Sequence, residues 1–520
     1  MRKKGFTLIE LLAVILILGI IALIAIPTVN NILKESRRGA FQSTLTNLEK
    51  AIEEKCTTEQ IKNQEITTMY TIEDGVISPS LDIKGSLPDG VIYVSKTCEV
   101  SYTLSDNNFT GTKEVGGEVV IGDKGNTETI YRESILNGTD PVLNDNLIPV
   151  IIANDGTVTK ADINSKWYSY AEKKWANAVI LTPTGKVEED GTILETSIES
   201  YFVWIPRYKY KLFDMGNYDN FINSQPTVIG SDRKIIDIVF ENKNTEVSVG
   251  NHVGEYHSHP AFQAFNVNGI WVGKFETTGS TSNLTIKPDK QSLRNISVKQ
   301  IFEISYNYKR ENDSHMMKNT EWGAVTYLAL SKYGKNDIIN LNNNWSYKTG
   351  YSSVVPYDDE NYVDSASGDL SLTQPYNTNI GYKASTTGNI TGIYDMSGGS
   401  KEFMASYMES YLGDSEFEED PVTIYGSKYF DIYSSISSKN SYNYRILGDA
   451  TGEIGPFYNF SGVYKNNWYL NSNSGFLNSS NPWFYRGGYC FVGKTSGILT
   501  FNANPGNASV HMTFRIVLAK

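Results

Sequence analysis

The sequence predicts an α+β protein: a long N-terminal helix with a small antiparallel sheet, followed by a large loop-rich domain. Three observations predict it. From Phe6 to Ile26 the residues are apolar or small except Thr7 and Glu10, and beyond them Val29, Ile32, Leu33, Phe41, Leu45, Leu48 and Ile52 recur at roughly helical spacing. After Cys56, the short runs GVIYVSK, CEVSYTLS and NFTGT show strand-like alternation between Asn, Gly and Pro turns. Beyond about residue 141, segments such as SYFVWIPRYKYKL and GIWVGKFETT alternate with Asn/Gly/Asp loops, and the strongest helical candidate there is NTEWGAVTYLALSKYG.

The helix predicted over 6–57 has two parts. Its apolar stretch 6–26, at about 1.5 Å per residue, covers roughly the 30 Å hydrocarbon thickness of a bilayer. Arg2, Lys3 and Lys4 precede it, so the N-terminus stays cytoplasmic and the bulk of the chain is sent outward. A secretory signal would end in small residues at a cleavage site, whereas Pro27 and then a continuing amphipathic pattern follow here. Pro27 is expected to kink or loosen the helix, since it removes one backbone hydrogen bond. Glu10 is the anomaly: a carboxylate in hydrocarbon is costly and calls for a positive partner at the same depth.

The rest of the composition excludes several functions. With 46 Lys+Arg against 58 Asp+Glu the net charge is -12, which argues against a nucleic-acid partner. The 520 residues suffice for two or more folded units. Three cysteines allow neither a dense disulfide framework nor a thiolate zinc site. Cys56 at the helix end and Cys98 in a predicted strand are candidates for a bridge tying rod to sheet, or else two unrelated buried thiols. Residues 112–140, polar and Gly-rich, read as a final strand and a linker. His252, His257 and His259 form a loose cluster without a carboxylate or thiol at ligand spacing, and are expected to be surface or turn residues with no metal; calcium is left open for want of a run of acidic ligands.

The stretch KKG followed by FTLIELL resembles the leader and mature start of type IV pilins and pseudopilins. That resemblance implies a prepilin leader at 1–5, cleavage between Gly5 and Phe6 by a prepilin peptidase, and N-methylation of Phe6. It implies that residues 58–111 are the pilin β region, and that Glu10 pairs with the Phe6 amine of a neighbouring pilin subunit during assembly. The chain would first be a single-pass protein of the cytoplasmic membrane and then part of an extracellular pilus or the cell surface.

The pieces FVWIPRYKY, GIWVGKFE, MMKNTEWGAVTYLALSKYG, TGNITGIYDMSGGSKEFM and FYRGGYCFVGKTSGILTFNANPGNASVHMTFRIVL resemble, in that order, the C-type-lectin-like fold of the formylglycine-generating-enzyme (sulfatase-modifying factor) superfamily. They imply a ligand-binding domain over 141–520. The superfamily signature GNVWEW stands here as GGSKEF, keeping Glu402 and placing Lys401 and Phe403 where aromatics are usual. The enzymes of the superfamily use a cysteine pair or a histidine-rich iron site, and this domain has one cysteine, Cys490, so no enzyme, catalytic residue or cofactor is expected.

Within 483–520 a fixed framework, Trp483, Phe484, Arg486, Gly487, Gly488, Gly493, Gly497, Phe501, Gly506, Phe514, Arg515 and Val517, is interspersed with mixed residues. These are Tyr485, Tyr489, Cys490, Phe491, Val492, Asn502, Asn504, Asn507, Ser509, Val510 and His511. The layout resembles the variable region of proteins diversified by diversity-generating retroelements, which implies that these eleven residues contact an external protein or glycan. Aromatics on a rigid scaffold give contact area with few rotors, and Asn and Ser give adaptable hydrogen bonds. The alternatives are a structural minor pilin or pseudopilin of a type IV pilus or type II secretion system, and, further off, a formylglycine-generating-type enzyme on a stalk.

Overall fold

The structure, a computed structural model, describes residues 8–520 apart from 63, 65, 68, 74, 84, 96, 114–118, 124–137, 145, 166, 212–235, 246, 249–254, 355–371, 435–445, 452–474, 492, 494 and 495; the side chains of 8–33 and 122–123 are also outside the description. The leader, Gly5, Phe6, the Glu10 side chain, His252 and Val492 therefore lie outside it. The chain is mixed α/β, mostly sheet with few helices. It divides into two compact units, 1–134 and 135–520.

In the first unit one continuous helix runs from Leu8 to Ile61, passing Gly19 and Pro27 without interruption. Among the described residues no helix is long and apolar enough to cross a membrane. Phe41, Leu45, Leu48, Ile52 and Cys56 are each at most 5% exposed. Spaced three or four residues apart, they make one helical stripe. It packs on a six-stranded antiparallel sheet in the order 76–78, 69–73, 89–94, 100–105, 109–113, 120–123, whose Ile92, Val100, Leu104 and Phe109 complete the core. Gly111 lets helix and sheet approach closely: a Cβ there would stand 2.3 Å from Leu45 Cδ1.

Cys56 and Cys98 are joined by a disulfide. The expectation that Cys98 lies in a strand is corrected: it sits in the turn between Asp89–Val94 and Val100–Ser105, in the left-handed region with φ 63°. The chain must reverse there, and Cys98 N–H donates to Ser95 O at 3.0 Å to close the turn.

The second unit is built on an eight-stranded sheet in the order 192–193, 158–160, 148–152, 177–181, 198–206, 269–273, 516–518, 315–316. The C-terminal strand Ile516–Leu518 is thus internal, pairing Trp271 with Leu518 on one side and His315 with Val517 on the other. Strands buried on both faces read as continuous apolar runs, and Ile198–Pro206 is buried at every position but Glu199. Helix Asn319–Ala329, the segment singled out from sequence, is buried along its whole length. A second helix, Val298–Tyr308, was not anticipated. Its start is a capping box in which Ser297 Oγ accepts from Gln300 N–H and Gln300 reaches back to Ser297 N–H.

A further sheet orders strands 431–433, 401–408, 483–487 and 497–504, with Met512–Thr513 pairing alongside Lys401–Met408. Its register sets Glu402 opposite Arg486 and Tyr485 opposite Asn502.

Candidate functional site

The site grows out of two glycine pairs. Gly398 and Gly399, the head of GGSKEF, have φ 81° and 70°, and Gly487 and Gly488 have φ 81° and 73°. Only glycine takes such angles without strain, and the two turns bond to each other: Gly398 N–H donates to Gly487 O at 3.1 Å, and Cys490 N–H to Gly399 O at 3.1 Å. This fixes Tyr489 and Phe491 on either side of a buried Cys490.

Around them four rings form a cluster. Tyr489 lies 5.1 Å from His511 and 5.9 Å from Phe491, and Tyr347 lies 5.8 Å from Phe491 and 6.1 Å from His511 between centroids. Tyr347 Oη and His511 Nδ1 share a hydrogen bond of 2.6 Å. Two cations cover the rings: the Arg294 guanidinium is 3.9 Å from the Tyr347 centroid, and Lys401 Nζ is 4.6 Å from Tyr489 and 4.9 Å from Tyr485. Phe491 (43%), Val510 (55%) and Trp345 (58%) are exposed, with Trp345 two residues from Tyr347 on one loop.

The electrostatics follow from partial burial among cations. Burial first, then the charges of Lys401 and Arg294, hold His511 below the usual imidazole range. Burial lowers Lys401 and raises Tyr347. Burial pushes the Cys490 thiol up to about 12, so it stays a protonated, unreactive thiol.

The eleven residues singled out from sequence therefore separate. Tyr489, Phe491, Val510 and His511 come together at the surface, and Asn507 is exposed beside them in sequence. Ser509 Oγ accepts from His511 N–H at 3.3 Å, and Asn504 Oδ1 accepts from Gly506 N–H at 2.8 Å, so both shape the loop. Asn502 is half-buried, its side chain against the Gly475 backbone. Two members are corrected: Cys490 is fully buried, and Tyr485 is 8% exposed beneath Lys401, so neither presents its side chain to a partner. Arg294, Trp345 and Tyr347 were missed because they come from segments some 140 to 200 residues away in sequence; an aromatic pair inside the polar run NNNWSYK was the available signal. The histidines are also corrected. His257 is buried, and His259 is fully buried, its Nδ1 accepting from Ala261 N–H at 3.3 Å to cap a short helix. Burial holds His259 down to about 3, so it is neutral. Among the described residues no group of three or more His, Cys, Asp or Glu could hold a metal ion.

Beneath the patch lie three fully buried carboxylates, Glu276, Asp395 and Glu402. Arg515 bonds Glu402 with two hydrogen bonds, at 3.0 and 2.6 Å. Asp395 accepts from Gly350 N–H and Asn342 Nδ2, at 2.8 and 2.9 Å. Glu276 Oε1 accepts from Ser400 N–H at 2.7 Å, while Oε2 has no partner among the described residues. Burial first, then the charges of Asp395 and Glu402, push Glu276 well above the carboxylate range. A carboxyl raised in the fold contributes stability that is whole below its unfolded value and lost as pH rises through the folded one. Glu276→Gln copies the protonated form, so it is expected to melt with the wild type at pH 5 and above it at pH 9, by on the order of 1 kcal/mol or more. Melting curves that coincide at both pH values would mean the carboxyl is not held neutral.

Residues 1–26 match the prokaryotic N-terminal methylation motif family. No curated protein matches the chain. The match supports a type IV pilin-like N-terminus, with the prepilin peptidase processing, membrane anchoring and assembly with pilin subunits that such a motif implies.

Proposed function

We propose that this chain is a surface-displayed type IV pilin-like protein whose second unit is a C-type-lectin-fold head, of the formylglycine-generating-enzyme-like kind, that binds an external ligand in adhesion. The observation that carries the reading is the surface cluster of Tyr489, Phe491, Val510 and His511, in which Phe491 and Val510 are exposed, backed by the buried ring of Tyr347 on a double-glycine scaffold, with the exposed Trp345 on the same loop as Tyr347. Its mechanism is recognition without bond chemistry, needing no cofactor: the nearest thiol is buried and protonated, and the carboxylates beneath are sealed in the core. The mixed residues of 483–520 are the product of retroelement diversification; a near-copy of their coding DNA differing at adenines, beside a reverse transcriptase, is expected in the neighbouring sequence.

The test uses cells displaying the full chain. Tyr489→Ala/Phe491→Ala is expected to reduce attachment at least about tenfold, the effect of losing one or two interface hot spots, with the melting temperature unchanged. Attachment equal to the wild type would remove the patch from the function. In the same cells Glu10→Gln is expected to insert in the membrane but assemble poorly; normal filaments would show that the carboxylate does not set subunit register.

A further inference from the structure

Lys401 differs from several buried or paired lysines of the second unit. Lys274 Nζ donates to Asn177 Oδ1, Ile390 O and Gly392 O, and Lys348 and Lys428 face Asp289 and Asp313 at 2.8 and 2.6 Å. Lys401 Nζ makes no hydrogen bond or ion pair among the described residues and rests over the rings of Tyr485 and Tyr489 alone. A half-buried ammonium without an acceptor is a costly arrangement unless something else supplies the anion. Arg294 is in a related position. Its Nε and Nη1 donate to Ser292 O and Val510 O, and Nη2 has no partner among the described residues. Lys401 covers Tyr489 and Arg294 covers Tyr347, and the His511 ring contacts both tyrosines, at 5.1 and 6.1 Å between centroids.

We propose that the ligand of this patch is an acidic saccharide, pyranose units bearing carboxylate or sulfate, whose anionic group is held by Lys401 and Arg294 beside His511. The inference rests on the ligand-binding reading above and names its ligand class. Charge complementarity carries it. The protein as a whole has net charge -12, yet neither cation makes an ion pair among the described residues: Asp289 is engaged by Lys348 and by Tyr351 at 2.9 Å, and Glu276 is buried and held toward its neutral form. The exposed rings of Phe491 and Trp345 offer flat apolar faces on which the C–H face of a pyranose can stack, while the cations orient the charged substituent. An acidic peptide fits less well, because backbone reading needs an unpaired strand edge or a groove. Strands Lys401–Met408 and Trp483–Gly487, which border the patch, are each paired on both sides.

The experiment measures binding of the full chain in detergent to polygalacturonate, to a sulfated galactan, to dextran and to polyglutamate, with attachment of the displaying cells followed in parallel. At least one of the two acidic polysaccharides is expected to bind, more weakly as salt rises, with dextran and polyglutamate at least tenfold weaker; which one binds tells carboxylate from sulfate. Lys401→Gln is expected to weaken that binding at least tenfold at unchanged melting temperature, and Arg294→Gln, at a more open position, to do the same if Lys401→Gln melts early. Equal binding of dextran, tighter binding of polyglutamate, or indifference to both substitutions overturns the inference. If the acidic saccharides fail while Tyr489→Ala/Phe491→Ala still abolishes attachment, only the ligand class is wrong. If attachment survives that double substitution as well, the binding reading falls with it.

Discussion

Replacing Arg515 by Met is expected to leave the second unit at the edge of unfolding. Arg515 is fully buried and is the cation that Glu402 faces, through Nε to Oε2 at 3.0 Å and Nη2 to Oε1 at 2.6 Å. It also donates to Gly273 O at 2.7 Å and Tyr394 O at 2.9 Å, which ties the strand Gly269–Gly273 to the loop before Lys401–Met408. Asp395 and Glu276 share the same buried region, and the charge of Arg515 pulls all three carboxyls toward their ionised forms against burial. Removing one partner of a buried pair costs about 3–5 kcal/mol, since the other charge stays desolvated, against a total of about 5–15 kcal/mol for a domain. Urea unfolding followed by tryptophan fluorescence reads this unit alone, because all 8 tryptophans lie between 167 and 483. The double variant Glu402→Gln/Arg515→Met should recover part of the loss by leaving no buried carboxylate opposite the gap. A single variant as stable as the wild type would mean that the pair contributes nothing beyond what apolar packing supplies.

The sheet-facing stripe Phe41, Leu45, Leu48 and Ile52 could be read from spacing because one helix face meets one sheet, and the period of the pattern is the period of the contact. The strands after Cys56 were legible for the same reason, and helix Asn319–Ala329 was found because its apolar content leaves few alternatives. Helix Val298–Tyr308 is not marked by an apolar run; its start is encoded in the S-x-x-Q of Ser297 and Gln300, a capping signal rather than a hydrophobic one. At the candidate site the limit is different. Tyr489, Phe491 and His511 belong to one stretch of sequence, but Arg294, Trp345 and Tyr347 reach the same surface only through sheet order and two glycine turns, and no local pattern encodes that. Burial of Cys490 is equally non-local: it depends on Gly399 accepting its N–H from a turn some ninety residues earlier.

Loss of the Cys56–Cys98 bond is expected to open the first unit and leave the second unchanged. The bridge joins residues 42 apart in sequence, and closing a loop of that size in the unfolded chain is worth about 4 kcal/mol in the chain-entropy account. The unit it serves has a small core. Among the described residues its buried apolar set runs from Phe41 to Phe109, from one helix face and one sheet, and small cores of this kind depend on staples. The bond also acts at the right place: Cys56 is the last residue of the buried helical stripe, and Cys98 closes the turn between the two strands next to the sheet's centre. Without it, the helix end beyond Ile52 keeps contacts such as Lys55 Nζ to Ser80 O at 3.2 Å, an exposed bond to the loop after the edge strand 76–78. Cys56→Ala/Cys98→Ala, or the wild type under reductant, should therefore be cleaved by trypsin within residues 50–113 at rates at least about tenfold above the oxidised chain, with tryptophan melting of 135–520 unmoved. Equal cleavage of oxidised and reduced protein would assign the stability of this unit to the helix–sheet contact alone, and a shift in tryptophan melting would show that the two units do not unfold independently.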